Sequence, residues 1–167
     1  NCGLVKNLAL SAIISVSVPS EGIVEKLYEL GTEHFTDVKD SVKKDGTRVF
    51  VDGKLIGYNK DGEKLAESLR EKRRSSKINS HIGISLHQPE QEGATKRLYV
   101  NCNAGRVLRP LIVVRDGKVT LTADLLDKIL KKLISWNDLV REGVIELIDA
   151  NEEENCLITF DDKHVKK

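Results

Sequence analysis

The chain has 167 residues, with 27 Lys and Arg against 26 Asp and Glu for a net charge of +1. No overall basic field draws such a surface onto nucleic acid, so any contact of that kind has to be local. Hydrophobic residues at 40% and charged residues at 32% fit a globular protein with one full core or two small ones, and exclude wholesale disorder.

Leu8 to Val18 is rich in Ile and Val and is stopped by Pro19, which reads as a largely buried strand. It is about half the roughly 20 apolar residues a membrane span needs, and it lacks the charged start and cleavage pattern of a signal peptide, so no membrane partner is expected. Ser20 is expected to cap a helix over Glu21 to Leu30, whose Ile23, Val24, Leu27 and Leu30 share a face, with Gly31 as its stop. Thr47 to Tyr58 holds two apolar runs around Asp52-Gly53, the composition of a type I′ hairpin turn. Asp61 to Arg74 reads as an exposed helix anchored by Leu65 and Leu69, with a basic end formed by Arg70, Lys72, Arg73, Arg74 and the following Lys77.

Ile82 to Leu86 and Lys96 to Cys102 read as strands joined by a loop. Arg109 to Leu121 repeats the hairpin device around Asp116-Gly117, and a helix over Thr122 to Ile134 follows it. The echo reads either as two similar modules or as a chance recurrence of a common hairpin. Ser135 or Asn137-Asp138 caps a short turn through Arg141 that Gly143 ends. Val144 to Ile148 and Cys156 to Phe160 read as strands flanking the acidic loop Asp149 to Glu154, whose three glutamates are expected on the surface. The elements together predict an α+β chain of two small mixed modules, each built from β-hairpins and short sheets with packed helices.

The chemistry-bearing residues are sparse. None of His34, His81, His87 and His164 has a Ser, Cys or Asp partner at a familiar spacing, and no Gly-rich loop joins a strand to a helix. Cys2, Cys102 and Cys156 are odd in number and lack metal-type spacing, so a reducing cytoplasm is the expected setting. The acidic run lacks the alternating ligands and central Gly of a calcium loop. No catalytic residue and no metal ligand is nominated. Arg70, Arg73 and Arg74 read either as phosphate contacts or as a solvated helix end that complements the helix dipole. Arg106 and Arg109 bracket the entry to an apolar hairpin, which points to buried or interface pairing with carboxylates, and Asp149 to Glu154 is a candidate supplier. A chain without methionine that opens at Asn1 reads as a fragment of a longer polypeptide.

The opening CGLVKNLAL (Cys2 to Leu10) resembles a signature of the second-largest subunit of multisubunit RNA polymerases, found in archaea and, as the beta chain, in bacteria. The likeness continues in order through RVFVDGKLIG (Arg48 to Gly57), LREKRR (Leu69 to Arg74), NAGRVLRPLIVV (Asn103 to Val114) and SWNDLVREGVIELIDANEEEN (Ser135 to Asn155), and the pattern is similar to the archaeal form. The resemblance implies that 1–19 is the end of the fork region, 20–80 a first external domain, 81–160 a second, and 161–167 a tail. It implies a DNA-directed RNA polymerase, a nucleotidyltransferase that uses magnesium, with the largest and other subunits, template DNA and product RNA as partners. Its catalytic aspartates lie in the largest subunit, so the fragment is expected to be inactive alone and to hold no cofactor. Asn1, Lys6 and Asn7 would lie nearest the RNA–DNA hybrid, or else form a loop entering a buried strand. Relatives usually have Asp where this chain has Asn103, which weakens any ion pair proposed there. The competing reading is a stand-alone RNA-binding or protein-interaction module that uses the basic helix end Arg70 to Lys77.

Overall fold

A computed structural model describes residues 3, 8–39, 43, 45–89, 91 and 94–160. In chain order its elements are β1 (Ile13–Ile14), α1 (Glu21–Glu29), β2 (Glu33–His34), β3 (Thr47–Val51), β4 (Lys54–Asn59), α2 (Gly62–Arg74), β5 (Gly83–His87) and β6 (Arg97–Asn101). There follow β7 (Val107–Ile112), β8 (Val114–Arg115), β9 (Lys118–Val119), α3 (Ala123–Leu130), α4 (Trp136–Arg141), β10 (Ile145–Ile148) and α5 (Ala150–Glu153). The chain is α+β, with mixed and antiparallel sheets and helices packed on them.

The Asp52-Gly53 hairpin seeds the larger sheet. Both turn residues take positive φ, 48° and 81°, the type I′ geometry whose twist matches that of the flanking strands. Five strands then pair in the order β2-β4-β3-β6-β5, antiparallel except for β3 and β6, which run parallel with Val49 beside Leu98 and Val51 beside Val100. α1 brings Ile23 and Leu27, and α2 brings Leu65, Ala66 and Leu69, into one core with Val49, Ile84, Leu98 and Val100. Each Leu or Ile buried this way contributes about 1.5–3 kcal/mol relative to exposure. Asp61 caps α2 by accepting from the Lys64 amide at 3.1 Å, which satisfies one of the donors a helix start leaves unpaired.

The second sheet has three antiparallel strands in the order β1-β7-β10. A smaller core of Leu139, Val144 and Ile145 lies beneath α3 and α4, with Leu125 and Ile129 packed against it. Ser135 and Asp138 form a reciprocal capping box at the start of α4. Gly143, at φ 67°, ends that helical segment where an added Cβ would meet the Arg74 carbonyl oxygen at 2.6 Å.

Several expectations change. Leu8 to Val18 is not a largely buried strand: only Ile13 and Ile14 pair, with β7, and Leu8, Leu10, Ile14 and Val16 are exposed. The stretch is an extended strap, fixed by bonds from Ser15 N to Arg106 O at 2.8 Å and from Val18 N to Cys102 O at 2.9 Å. Of its apolar residues Val18 packs against the larger core, while Leu8, Leu10, Ile14 and Val16 stay exposed. Ser20 occupies the N-cap position of α1 but makes no side-chain cap bond. Cys156 to Phe160 forms no strand, and Leu157 and Phe160 are solvent-exposed. Position 80 lies within the span of the five-stranded sheet, because β5 and β6 join strands that precede it. The second Asp-Gly hairpin stands apart as the two-stranded β8–β9 ribbon, so the echo in sequence is not an echo in sheet architecture.

Candidate functional site

Helix α2 buries a stripe of Gly62, Leu65, Ala66, Leu69 and Arg73. Those positions share one helix face, so the arginine continues the apolar stripe and is carried inside. Arg73 is 2% exposed, and the glutamate it meets, Glu152, is 1% exposed. All five guanidinium hydrogens find acceptors. Nη1 donates to Glu152 Oε2 at 2.8 Å and to the Ile82 carbonyl at 2.7 Å. Nη2 donates to Glu152 Oε1 at 2.6 Å and to Glu146 Oε1 at 2.5 Å, and Nε donates to Glu146 Oε1 at 3.1 Å. The paired bonds to Glu152 match the planar fork of arginine to a carboxylate.

The cluster spreads from this centre. Arg74 donates through Nη2 to Glu146 Oε2 at 3.0 Å and through Nη1 to Glu71 at 3.1 Å. Arg70 sets Nε 3.6 Å from Glu152 Oε1, and Glu152 Oε2 also accepts from the Ile84 amide at 3.2 Å. Burial lowers the pKa of Arg73, but Glu152 and Glu146 outweigh it and hold the guanidinium above its ordinary value. Burial raises that of Glu146, and Arg73 and Arg74 more than offset it, so this carboxyl lies below the usual glutamate range. Both charges persist at neutral pH. α2 is thereby tied to β10 through Glu146 and to α5 through Glu152.

A second junction lies beside the first. Asp149 caps α5 by accepting from Glu152 N at 3.0 Å, and its other oxygen accepts from Arg106 Nη1 at 2.8 Å. Arg106 also donates from Nη2 to the His81 carbonyl at 2.7 Å and from Nε to Asn103 Oδ1 at 2.9 Å, so Asn103 serves as a neutral acceptor. A Cβ at Gly83 would collide with the Asp149 carboxylate and the Arg106 guanidinium, which is why β5 starts with glycine. Arg109, half-exposed, pairs with Glu153.

The expected phosphate contacts do not fit this geometry. Arg73 has no free donor, Arg74 is held by Glu146 and Glu71, and Arg70 lies against Glu152. Nor is the acidic run a solvated loop: it forms α5, with Asp149 and Glu152 buried. The sequence reading missed Glu146 and Glu152 as partners of Arg73. The available signal was the register that puts Arg73 on the apolar face of α2, since an arginine there requires a buried counter-charge. Asn1, Lys6 and Asn7 lie outside the described residues. His81 accepts at Nδ1 from the Val16 amide at 3.2 Å, and burial and then Arg106 push its pKa down. Cys102 is buried, and burial followed by the charge of Asp52 raises its thiol to about 11.

No pairing of nucleophile and base arises from this arrangement, whose chemistry is to hold segments together. Among the described residues no three or more of His, Cys, Asp and Glu group to hold a metal. The carboxylates of Glu146, Asp149, Glu152 and Glu153 all face arginines. They do not present a seat for magnesium.

Two family models match the chain in succession: RNA polymerase Rpb2, domain 4, over residues 49–115, and RNA polymerase Rpb2, domain 5, over residues 136–167. Similar proteins include DNA-directed RNA polymerase subunit Rpo2 of Saccharolobus shibatae, 39% identical over 96% of this chain and 15% of the relative. DNA-directed RNA polymerase II subunit RPB2 of Encephalitozoon cuniculi is 38% identical over 97% of this chain and 14% of the relative. DNA-directed RNA polymerase II subunit 2 of Arabidopsis thaliana is 34% identical over 95% and 13%. The chain thus spans about 15% of the length of the relatives it matches first. Arg73 falls within the first matched segment, and Glu146 and Glu152 fall within the second.

Proposed function

The chain belongs to the family of second-largest subunits of DNA-directed RNA polymerases, and on that premise we propose that it is a structural part of such a subunit, contributing to DNA-templated RNA synthesis in the assembled nucleotidyltransferase without supplying a catalytic group. The observation that carries this reading is the succession of two domains of one subunit on one chain, locked together by Arg73, Glu146 and Glu152. The work of this segment is to keep two peripheral units in fixed relation while other parts of the enzyme handle the nucleotides. The remaining subunits, the largest among them, template DNA and product RNA are its partners in that assembly, and magnesium is held elsewhere. The first unit ends and the second begins between residues 115 and 136, with the end of the fork region over 1–19 and a tail over 161–167. An archaeal, cytoplasmic enzyme is the setting, supported by the Rpo2 relatives at 38–39% identity. Among the described residues no helix is long and apolar enough to cross a membrane.

The reading as a stand-alone RNA-binding module is not favoured, because the arginines it would use are engaged internally. The test has two arms. The isolated chain, mixed with template, nucleotides and magnesium, makes no RNA, and a full-length subunit lacking residues 49–160 fails to assemble into active polymerase. RNA synthesis by the isolated chain, or full activity without the segment, overturns the proposal.

A further inference from the structure

The sequence contains four Asp-Gly pairs, and three of them, at 52–53, 61–62 and 116–117, are flanked on both sides by described residues. Asp-Gly is open to attack by the glycine amide on the aspartate side chain, because glycine has no Cβ to hinder the approach and permits the backbone rotation it needs. The three pairs differ in how firmly the fold holds each carboxylate.

Asp52 is fixed. Its Oδ1 accepts from the Cys102 amide at 2.7 Å and the Asn103 amide at 3.1 Å, and its own amide donates to the Val100 carbonyl at 3.0 Å. The turn it opens joins β3 to β4 inside the five-stranded sheet. Asp61 is held as well. Its Oδ1 accepts from Lys64 N at 3.1 Å, its Oδ2 pairs with Lys64 Nζ at 3.0 Å, and Gly62 is buried against Thr47 in the first turn of α2.

Asp116 has none of these restraints. It takes the same left-handed turn as Asp52, with φ 50° and 68° for Gly117, yet it is exposed and makes no side-chain hydrogen bond or ion pair among the described residues. The β8–β9 ribbon beneath it pairs only Val114 with Val119 and Arg115 with Lys118, and joins neither larger sheet. Thr120 anchors the base through its amide and hydroxyl, which donate to the Val113 carbonyl at 3.0 and 2.7 Å. The tip has no such anchor. A two-stranded ribbon of this size is marginal by itself, so its turn opens at far lower cost than the turn within the five-stranded sheet.

We propose that Asp116-Gly117 is a modification site, the place in this chain where aspartate isomerises to isoaspartate, the substrate class of carboxyl methyltransferases. When the turn opens, the Gly117 amide nitrogen attacks Cγ of the protonated Asp116 carboxyl. The N–Cγ bond forms, the carboxyl hydroxyl departs as water with the amide proton, and a cyclic imide results. Water then opens the imide. Cleavage of the bond between nitrogen and Cγ restores aspartate, whereas cleavage between nitrogen and the main-chain carbonyl carbon routes the backbone through Cβ and frees an α-carboxylate. No oxidant, reductant or cofactor enters. The extra backbone atom breaks the pairing of Arg115 with Lys118, so the modified ribbon stays open. The site directly follows residue 115, where the first matched family segment ends.

The 167-residue chain is aged at neutral pH and physiological temperature in water enriched in heavy oxygen, folded and, in parallel, in urea. Each passage through the imide leaves one heavy oxygen in the residue, and peptide mapping reads it. In the folded chain Asp116 is expected to take up label at least about tenfold faster than Asp52 or Asp61, and the labelled peptide accepts a methyl group from S-adenosylmethionine with an isoaspartyl methyltransferase. In urea the three rates converge to within about threefold. D116E, whose longer side chain closes a ring less readily, loses the label at that position with an unchanged circular dichroism spectrum. Equal labelling of the three sites in the folded chain, no labelling at Asp116, or the same preference for Asp116 in urea overturns the proposal. The same map is made of aged polymerase assembled with the full-length subunit. Label at Asp116 there supports the proposal, and its absence overturns it. Only this second arm rests on the polymerase reading, whose own failure would show as a subunit that does not assemble.

Discussion

Arg73 offers the sharpest test of how the two units are held. Arg73→Met keeps a long apolar stem on the buried stripe of α2 and removes five donors at once. Glu146 retains Arg74, but Glu152, 1% exposed, is left with the Ile84 amide at 3.2 Å and the more distant charge of Arg70 at 3.6 Å. Removing one member of a buried pair costs about 3–5 kcal/mol, because the other is stranded in a medium that solvates it poorly. The contacts left to Glu152 put this case at the lower end, about 3 kcal/mol, a large share of the roughly 5–15 kcal/mol that stabilises a domain. Glu152→Met leaves Arg73 paired with Glu146 and bonded to the Ile82 carbonyl, so it costs less, about 1–2 kcal/mol. The double variant removes both charges and fills the space with apolar atoms, so its loss is expected to fall below about 1.5 kcal/mol, giving a coupling above about 2 kcal/mol. Urea unfolding of the four proteins, followed by far-UV circular dichroism, supplies the cycle, with equal slopes showing that the transition itself is unchanged. A single-variant loss under about 1 kcal/mol, or losses that simply add in the double variant, would refute the reasoning that a desolvated pair governs the junction.

Further outcomes follow from other contacts. The folded pKa of Glu146 is depressed, so its contribution is complete above the ordinary glutamate value, 4.5, and is lost as pH falls through the depressed one. Unfolding midpoints measured down an acid series should therefore fall more steeply for the parent than for Glu146→Gln, and parallel curves contradict the assignment. Lys132→Gly relieves a left-handed lysine and is expected to stabilise by about 1 kcal/mol. Gly143→Ala does the opposite at φ 67°, destabilising by more than about 1 kcal/mol because its methyl also meets the Arg74 carbonyl. Thermal melts that move both variants in the same direction count against this pair of expectations. Cys102, buried and with its thiol raised to about 11, should react with a maleimide at neutral pH only after unfolding. Peptide mapping that finds it labelled in native buffer shows that the core opens there.

The residues that announced themselves in the sequence are those whose structure is decided locally. Asp52-Gly53 and Asp116-Gly117 adopt positive φ at all four positions, and Ser135 caps the helix that follows it, because turns and caps are settled by neighbours in the chain. Burial of Leu8 to Val18 and of Glu152 is decided across long separations, and there the reading failed in opposite directions. An apolar run does not state whether a core lies opposite it, and a glutamate among glutamates does not state that an arginine from helix α2 lies above it. Of the junction, the residue types were legible at Arg106 and Arg109. The fivefold engagement of Arg73 was not, since the basic run around it resembles any solvated helix end.

That engagement bears on how these sequences can be recombined. The guanidinium sits in one family segment and its carboxylates in the other, so neither stretch can change alone at those positions without injury to its neighbour. A chimera grafting residues 49–115 of one relative onto 136–160 of another will tolerate wide divergence on its outer surfaces. It will fail where the donor lacks an arginine or the recipient a glutamate at this crossing, and the two segments should be inherited as one.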